Sequence, residues 1–544
     1  MEHRAERNVE TEIKLALERK KIKTLLNSPL ITKKTIKGST QELKLSTVYY
    51  DTEDLSLQKA GLAYRVRQCG KKYEATVKTD KASSGGISCR SEYTVPLTEQ
   101  QPVLTGFAEQ GLKADLQQLV GETELKPLFK VTVKRQVRLL TLSKSTKVEL
   151  AVDQGQITFG KKKDKILEIE LELKEGKLAE LLAYTAQLAG EVPLFPEKRS
   201  KYVRGLALMG QEVKNEPQES VKLDSERPVR EAFEDIILRR SEAIMDGQKK
   251  YLELLPKDKA KLADKLKKEY PAAEDKAEKK GQVNQAEEGT PNANFRADAD
   301  RLFLERINRL NVIMYWALPL LHDGLKMQKY IEEIRLPLEN LHELKRLLLL
   351  WKQIALFAAP EPGADKLTEI LAAEVRQAAL KVTDQIRAGL YTKVLFKLLA
   401  QIEDAKWKNE DYLDAGQLIN CRAESINNAL WGLVGLPSEF VQEKCHKAME
   451  YVTALSQMRG LYKLPSWTKA TPKRLKKLNK LLLKFNATTC RNKAVTEKLL
   501  NSQDREVIRQ GGILLGWLYN DRCKVLDKIV AAYEKLEDSL EKRA

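Results

Sequence analysis

Val9-Glu10-Thr11-Glu12-Ile13-Lys14 reads as a β-strand in which Glu10, Glu12 and Lys14 share one face, while Val9, Ile13 and Leu15 share the other. Two carboxylates side by side repel unless a cation lies between them, and a lysine beside them suits an anion. A divalent metal bound to a phosphate chain meets both demands. The pattern returns along the first two hundred residues. Arg65 and Arg67 lie opposite Tyr64 and Val66, Thr76 and Lys78 opposite Ala75 and Val77, and Arg90 and Glu92 opposite Tyr93 and Val95. Glu149 and Asp153 oppose Val148, Leu150 and Val152, and Glu168, Glu170 and Glu172 oppose Ile169, Leu171 and Leu173. Any one of these strands is explained by an apolar face on the core and a charged face in water. A solvated sheet, however, mixes Ser, Thr, Asn and Gln with its charges, and here Arg, Lys and carboxylates dominate. If the sheet closes into a barrel, these faces converge on one interior. Repulsion would hold that interior open and ions would fill it, the acids holding Mg²⁺ or Mn²⁺ and the Arg and Lys side chains taking phosphate oxygens.

The elements that would position these residues change character near residue 210. Before it, β-rich runs are predicted at Val48–Tyr50, Leu62–Arg67, Tyr73–Lys78, Ser91–Val95, Lys130–Leu140, Lys147–Val152 and Ile166–Leu173, with turns at Gly70, Gly85-Gly86, Gly155 and Gly160. Gln110–Val120 and Leu178–Leu188 read as helices. The expected division is a first domain over 1–209, a polar linker over 210–228 and a helical domain over 229–544, where apolar residues recur every three or four positions. Pro256 to Asn294 is rich in Lys, Glu, Asp and Ala and reads as a mobile insertion, with a solvated helix at Lys257–Glu269.

Across its 544 residues the chain carries 95 Lys and Arg against 77 Asp and Glu, a net charge of +18, so an anionic partner is expected. No apolar run reaches membrane-spanning length and the first thirty residues lack a signal-peptide core, which points to a cytoplasmic protein with no membrane partner. Cys69, Cys89, Cys421, Cys445, Cys490 and Cys523 show no C-x-x-C spacing and read as reduced structural thiols, with no zinc site.

From about Asn8 to Gly210 the chain resembles the CYTH family, also called triphosphate tunnel metalloenzymes. The resemblance rests on an ordered series: Glu10-Thr11-Glu12-Ile13-Lys14, Tyr49-Tyr50-Asp51-Thr52, Arg65-Val66-Arg67, Lys78, Arg90-Ser91-Glu92, Arg135, Glu149 with Asp153-Gln154-Gly155, Glu170-Leu171-Glu172, and Lys198 with Ser200-Lys201-Tyr202. It implies an α+β protein with an N-terminal eight-stranded antiparallel β-tunnel that binds a triphosphate and a divalent metal. It implies Glu10, Glu12, Glu170 and Glu172 as metal-side acids, with Glu149 and Asp153 also lining the tunnel. Arg65, Arg67, Lys78, Arg90 and Arg135 are implied as phosphate ligands, with Lys14, Lys198 and Lys201 as further contacts. Glu10, Glu12, Lys14 and Lys201 are then the candidate catalytic residues. Tyr49 and Asp51 read instead as shaping a strand end, since tight turns favour Asp and a buried Tyr needs only one partner.

The helical half carries a second signal. His342, Lys345 and Arg346 fall within one helical turn of each other, and Cys445-His446-Lys447 opens another helix. Arg459 to Lys498 holds twelve Lys or Arg and one acid, Glu497. Within it Lys473, Lys477, Lys480 and Lys484 form one stripe, with Leu475, Leu478 and Leu482 facing elsewhere. A charge run is usually a solvated face, but like charges on one stripe repel and an anion would relieve them. From about Val229 onward the chain resembles the CHAD domain, an all-helical bundle, at Leu341–Trp351, Lys484–Leu500 and Gly511–Leu518. That resemblance implies polyphosphate binding through the basic histidine helices. It departs from the family at Met449 and Glu450, where arginines usually follow the second histidine.

The expected function is metal-dependent hydrolysis of inorganic triphosphate in a charged tunnel, with a helical domain that binds polyphosphate. Alternatives are a non-catalytic polyphosphate-binding or granule-associated protein, and a tunnel enzyme acting on an organic triphosphate such as thiamine triphosphate or ATP. A nucleic-acid binder ranks last, since aromatic content is 6% and no stacking pattern accompanies the basic stripe.

Overall fold

Alternation along the first strands places charge on one face, and the sheet then curls until those faces enclose a space. In the computed structural model eight long strands form this sheet: β1 (Val9–Ala16), β2 (Gln41–Asp51), β3 (Leu62–Cys69), β4 (Lys72–Thr79), β5 (Ile87–Leu97), β6 (Lys126–Thr141), β7 (Lys147–Phe159) and β8 (Lys162–Glu175). Neighbours pair antiparallel in the order β1-β8-β7-β6-β2-β3-β4-β5, and β1 pairs with β5 to close the barrel. The residues described are 9–79, 83–84, 87–108, 111–112, 114–211, 224, 226–271, 291–358, 365–408, 414–431, 438–458, 462, 464–487 and 493–540. Register fixes who meets whom: Glu12 lies opposite Glu172, Lys14 opposite Glu170, Arg135 opposite Asp153 and Lys78 opposite Glu92. A slip of one residue would send every one of these side chains to the outer face.

The outer faces of these strands are therefore apolar where helices cover them, and the charged residues point inward. On one flank, Leu62, Tyr64 and Val66 of β3 and Ala75 and Val77 of β4 pack under Leu57 of helix α1 (Ser56–Lys59), Phe107, and Leu116 and Val120 of α2 (Leu116–Val120). On another, Ile13, Leu15, Val148, Leu150, Val152, Ile169 and Leu171 are fully buried, and α3 (Leu178–Glu191) packs on β8. Each such side chain, fully buried, contributes about 1.5–3 kcal/mol.

The lumen has two halves. In one, helix α4 (Lys201–Met209) fills the barrel, with Leu206 packed among Leu45, Tyr49, Phe129, Val131, Val133, Ile157 and Ile166. Gly205 permits this fit, because a Cβ there would stand 2.1 Å from the Phe129 ring. The other half is the charged cavity.

Some local expectations change in the fold. Gly155, expected in a turn, lies inside β7, where a Cβ would stand 1.9 Å from the Thr132 carbonyl oxygen; the close approach of β6 is what requires glycine. The helix expected over Gln110–Val120 is confined to Leu116–Val120, because Asp115 caps it by accepting from Gln118 N at 3.1 Å. Gln110, the Gly85-Gly86 turn and most of the expected linker lie outside the described residues. Cys69, Cys89, Cys421, Cys445 and Cys523 are free thiols, and Cys490 also lies outside the described residues.

The chain divides into two compact units, the first taking in Met1–Ser220, Ser241–Met245 and Ala388–Asp404. The second unit is helical. It includes α5 (Lys259–Glu269), α6 (Pro291–Ala317), α7 (Gly324–Ala358), α8 (Lys366–Arg387), α10 (Ser438–Met458), α11 (Thr471–Ala487) and α12 (Arg505–Glu537), while α9 (Leu390–Glu403) belongs to the first unit and packs on α3. Within the second unit α7 packs on α6 and α8, and α11 on α10 and α12. The helix expected at Lys257–Glu269 forms as α5, yet it is not simply solvated. Leu262 and Leu266, four apart, are fully buried, and α5 packs on α8. Residues 272–290 of the expected insertion lie outside the described residues. No helix among the described residues is long and apolar enough to cross a membrane.

Candidate active site

The charged half of the lumen is a cavity of 410 Å³. Eight cationic side chains line it (Lys14, Arg65, Arg67, Lys78, Arg90, Arg135, Lys174 and Lys201) together with five acids (Glu10, Glu12, Glu92, Glu170 and Glu172). The cationic excess suits a polyanion and the acids suit a metal cation.

Some of these charges neutralise each other. The Lys201 ammonium lies 2.8 Å from Asp153, 2.6 Å from Glu168 and 2.8 Å from Glu170. Arg135 adds a two-pronged pair with Asp153, at 2.7 and 2.8 Å, and also donates to Glu170. Burial alone would raise the Glu170 pKa, but Lys201, Arg135 and Lys14 hold it well below the usual carboxylate range. Burial alone would lower Lys14; Glu12, Glu170 and Glu168 raise it instead, so it stays an ammonium. Asp153, Glu168 and Glu170 are close enough to hold a metal ion, but the Lys201 ammonium already sits among them.

Other charges are only partly balanced. Burial pushes Glu10 up to about 8; Lys78 opposes this, and Glu92 and Glu12 add to it. Burial also raises Glu172, against the pull of Lys174. Arg67 moves the other way, down to about 10, through burial and then the repulsion of Arg65 and Arg135. Among the described residues its ion pair is with Glu74, at 3.8 Å. Lys78 at 2.7 Å from Glu10 and Lys174 at 2.6 Å from Glu172 thus offset the burial of these acids only in part, and the Glu74 partner of Arg67 stands at 3.8 Å. The carboxylates of Glu10, Glu12 and Glu172 are hard oxygen donors of the kind that take a divalent cation, while the acids of the described residues that already converge on one point are Asp153, Glu168 and Glu170.

Residues 8–206 match the model of the CYTH domain. The chain is also 34% identical over 168 residues to an inorganic triphosphatase of Haemophilus influenzae, an alignment covering 31% of this chain and 47% of that protein. It therefore spans about half the length of that relative. Two solved structures are similar at lower identity. One is a Hippeastrum protein described as an adenylyl cyclase with a dominant triphosphatase activity (18% identical, 38% of this chain and 99% of that chain, TM-score 0.26). The other is the Mimivirus capping enzyme triphosphatase (13% identical, 31% and 80%, TM-score 0.20).

Within residues 8–206 the fold brings most of the expected residues together. Glu10, Glu12, Lys14, Arg65, Arg67, Lys78, Arg90, Arg135, Glu170, Glu172 and Lys201 all line the cavity. Asp153 lies just behind it, fully buried against Arg135 and Lys201. Glu149 stands 3.9 Å from Lys174. Lys198 does not join the lining; it pairs with Glu242. Asp51 shapes a strand end as expected, its carboxylate accepting from the backbone N–H groups of Thr52, Leu57 and Gln58 at 2.8–2.9 Å. Tyr49 is buried and stacks on Phe129 at 4.9 Å, and it also forms part of the cavity wall.

Three residues without an assigned role belong to the site's charge network. Glu92 bridges Arg65 at 2.9 Å and Lys78 at 2.6 Å. Arg204, one turn along α4 from Lys201, bonds Asp164 and Glu168. Lys174 continues the alternating row of Glu168, Glu170 and Glu172, and that alternation is the signal for it.

In the second unit, Lys473, Lys477, Lys480 and Lys484 of α11 are exposed, while Leu475, Leu478 and Leu482 are buried. His342 is exposed, but Lys345 turns onto buried Asp300 and Arg346 lies 4.0 Å from Glu343. The His446 side chain lies outside the described residues.

Proposed function

We propose that the barrel hydrolyses inorganic triphosphate with Mg²⁺ or Mn²⁺, and that the α11 lysines bind polyphosphate. The observation that carries the first part is one cavity lined by eight cations and five acids, where Lys78 and Lys174 only partly offset the buried Glu10 and Glu172 and Arg67 has its acid partner at 3.8 Å, so that both a further cation and an anion would be taken. A metal-bound triphosphate supplies both at once. Glu10, Glu12 and Glu172 would hold the metal, which would polarise the phosphate and draw off its charge. Arg65, Arg67, Arg135 and Arg90 would grip phosphate oxygens and fix the chain in line for attack. Water oxygen bonds to the terminal phosphorus, the bridging P–O bond breaks, orthophosphate and diphosphate leave, and the proton that the water loses passes to a phosphate oxygen and on to solvent. The fixed cations stabilise the charge that gathers on the leaving diphosphate. Lys14 and Lys201 are pinned as ammonium groups by their carboxylate partners, so they act as fixed positive charge and not as bases.

Inorganic substrate is favoured over an organic triphosphate by the space beside the cavity. The adjoining pocket, walled by Leu62, Tyr202, Val203 and Leu206, measures 110 Å³. The test is phosphate release from tripolyphosphate, ATP and thiamine triphosphate, with Mg²⁺, Mn²⁺ or EDTA, in the wild type and in Glu10→Ala and Arg67→Ala. Tripolyphosphate should be hydrolysed fastest, only with metal, and not by either variant. Unchanged turnover in both variants would remove the proposal.

A further inference from the structure

Lys174 reaches the mouth of the cavity from β8, two residues beyond Glu172. Its Nζ lies 2.6 Å from Glu172 Oε1 and 3.9 Å from Glu149 Oε2, and its side chain is 39% exposed. Lys201, in the same barrel, is held very differently. Three carboxylates surround it within 2.8 Å, its side chain is 11% exposed, and the helix that carries it is wedged in the lumen. Removing Lys201 from its acids would strand buried charge. Withdrawing Lys174 would cost little, because its tip already reaches solvent and only one of its two contacts is close.

We propose that Lys174 is an exchangeable internal counter-ion, neutralising Glu172 and Glu149 in the metal-free protein and swinging away when a divalent cation takes its place. This rests on the metal-dependent reading of the site. The lysine stem is long and flexible and its ammonium is a compact point charge, which suits it to move without disturbing the strand. A divalent ion brings twice the charge to the same carboxylates and so wins the exchange. Metal binding by the wild type is then weakened by the competing ammonium.

The experiment is calorimetric titration of Mn²⁺ into the full chain as wild type, Lys174→Met and Lys174→Arg, with no phosphate present. Lys174→Met should bind Mn²⁺ about five-fold more tightly, the scale of one partly exposed ion pair. Lys174→Arg, which keeps the charge, should stay near the wild type. If Lys174→Met does not fold, Lys174→Gln carries the same expectation. A wild type that binds Mn²⁺ beside a neutral variant that binds it no more tightly overturns this inference alone. Absence of binding in both overturns it together with the metal-dependent reading.

Discussion

Lysines occupy two opposite settings in this molecule. In the barrel, Lys14 and Lys201 are buried and surrounded by carboxylates. On α11, Lys473, Lys477, Lys480 and Lys484 are exposed, and none has an ion pair among the described residues. A buried charge must be compensated within the fold, so its partners are part of the structure. An exposed charge is compensated by water and salt, so it is free to meet a partner from outside. The same residue type thus serves architecture in one unit and is available for recognition in the other.

Substitution can break this contrast. The largest effect is expected for Lys201→Met, which leaves Asp153, Glu168 and Glu170 without their shared ammonium and should destabilise the protein by about 3–5 kcal/mol in urea unfolding. Lys480→Met on α11 should stay within about 0.5 kcal/mol of the wild type in the same measurement. Equal effects of the two would erase the distinction.

Gly205→Val tests whether the apolar half of the lumen depends on the fit of α4. Its side chain would collide with Phe129, and a loss of about 1–3 kcal/mol or more is expected in thermal unfolding. Reversing two exposed charges, Lys477→Glu with Lys480→Glu, should weaken binding of long-chain polyphosphate about ten-fold, flatten its salt dependence, and leave tripolyphosphate turnover alone. A smaller effect carries an informative sign. Arg67 is a buried cation repelled by Arg65 and Arg135 with its Glu74 partner at 3.8 Å, so Arg67→Met should raise ligand-free stability by about 1 kcal/mol in urea unfolding while abolishing any stabilisation by tripolyphosphate in EDTA.

Much of the barrel is legible in the sequence because strand alternation has a period of two, and a charged residue at every second position names a face without further information. Glu10, Glu12, Arg65, Arg67, Glu170 and Glu172 are found in this way and share the cavity. Lys198 enters through its place in a motif rather than through alternation, and it pairs with Glu242. On α11 the helical period likewise separates the buried leucines from the exposed lysines. On α7 it does not reveal that Lys345 meets Asp300, a residue of another helix.

By itself the sequence determined which face each strand would present and that the charged faces could be satisfied only by opposite charge. Local periodicity is a property of the chain, so these facts needed no knowledge of the fold. Only the tertiary structure decided which acids are already neutralised and which are not. Lys201 reaches its three carboxylates from a helix that follows them in the chain, and Lys174 reaches Glu149 across a strand pair. Pairing of that kind depends on distance in space, which sequence spacing does not encode.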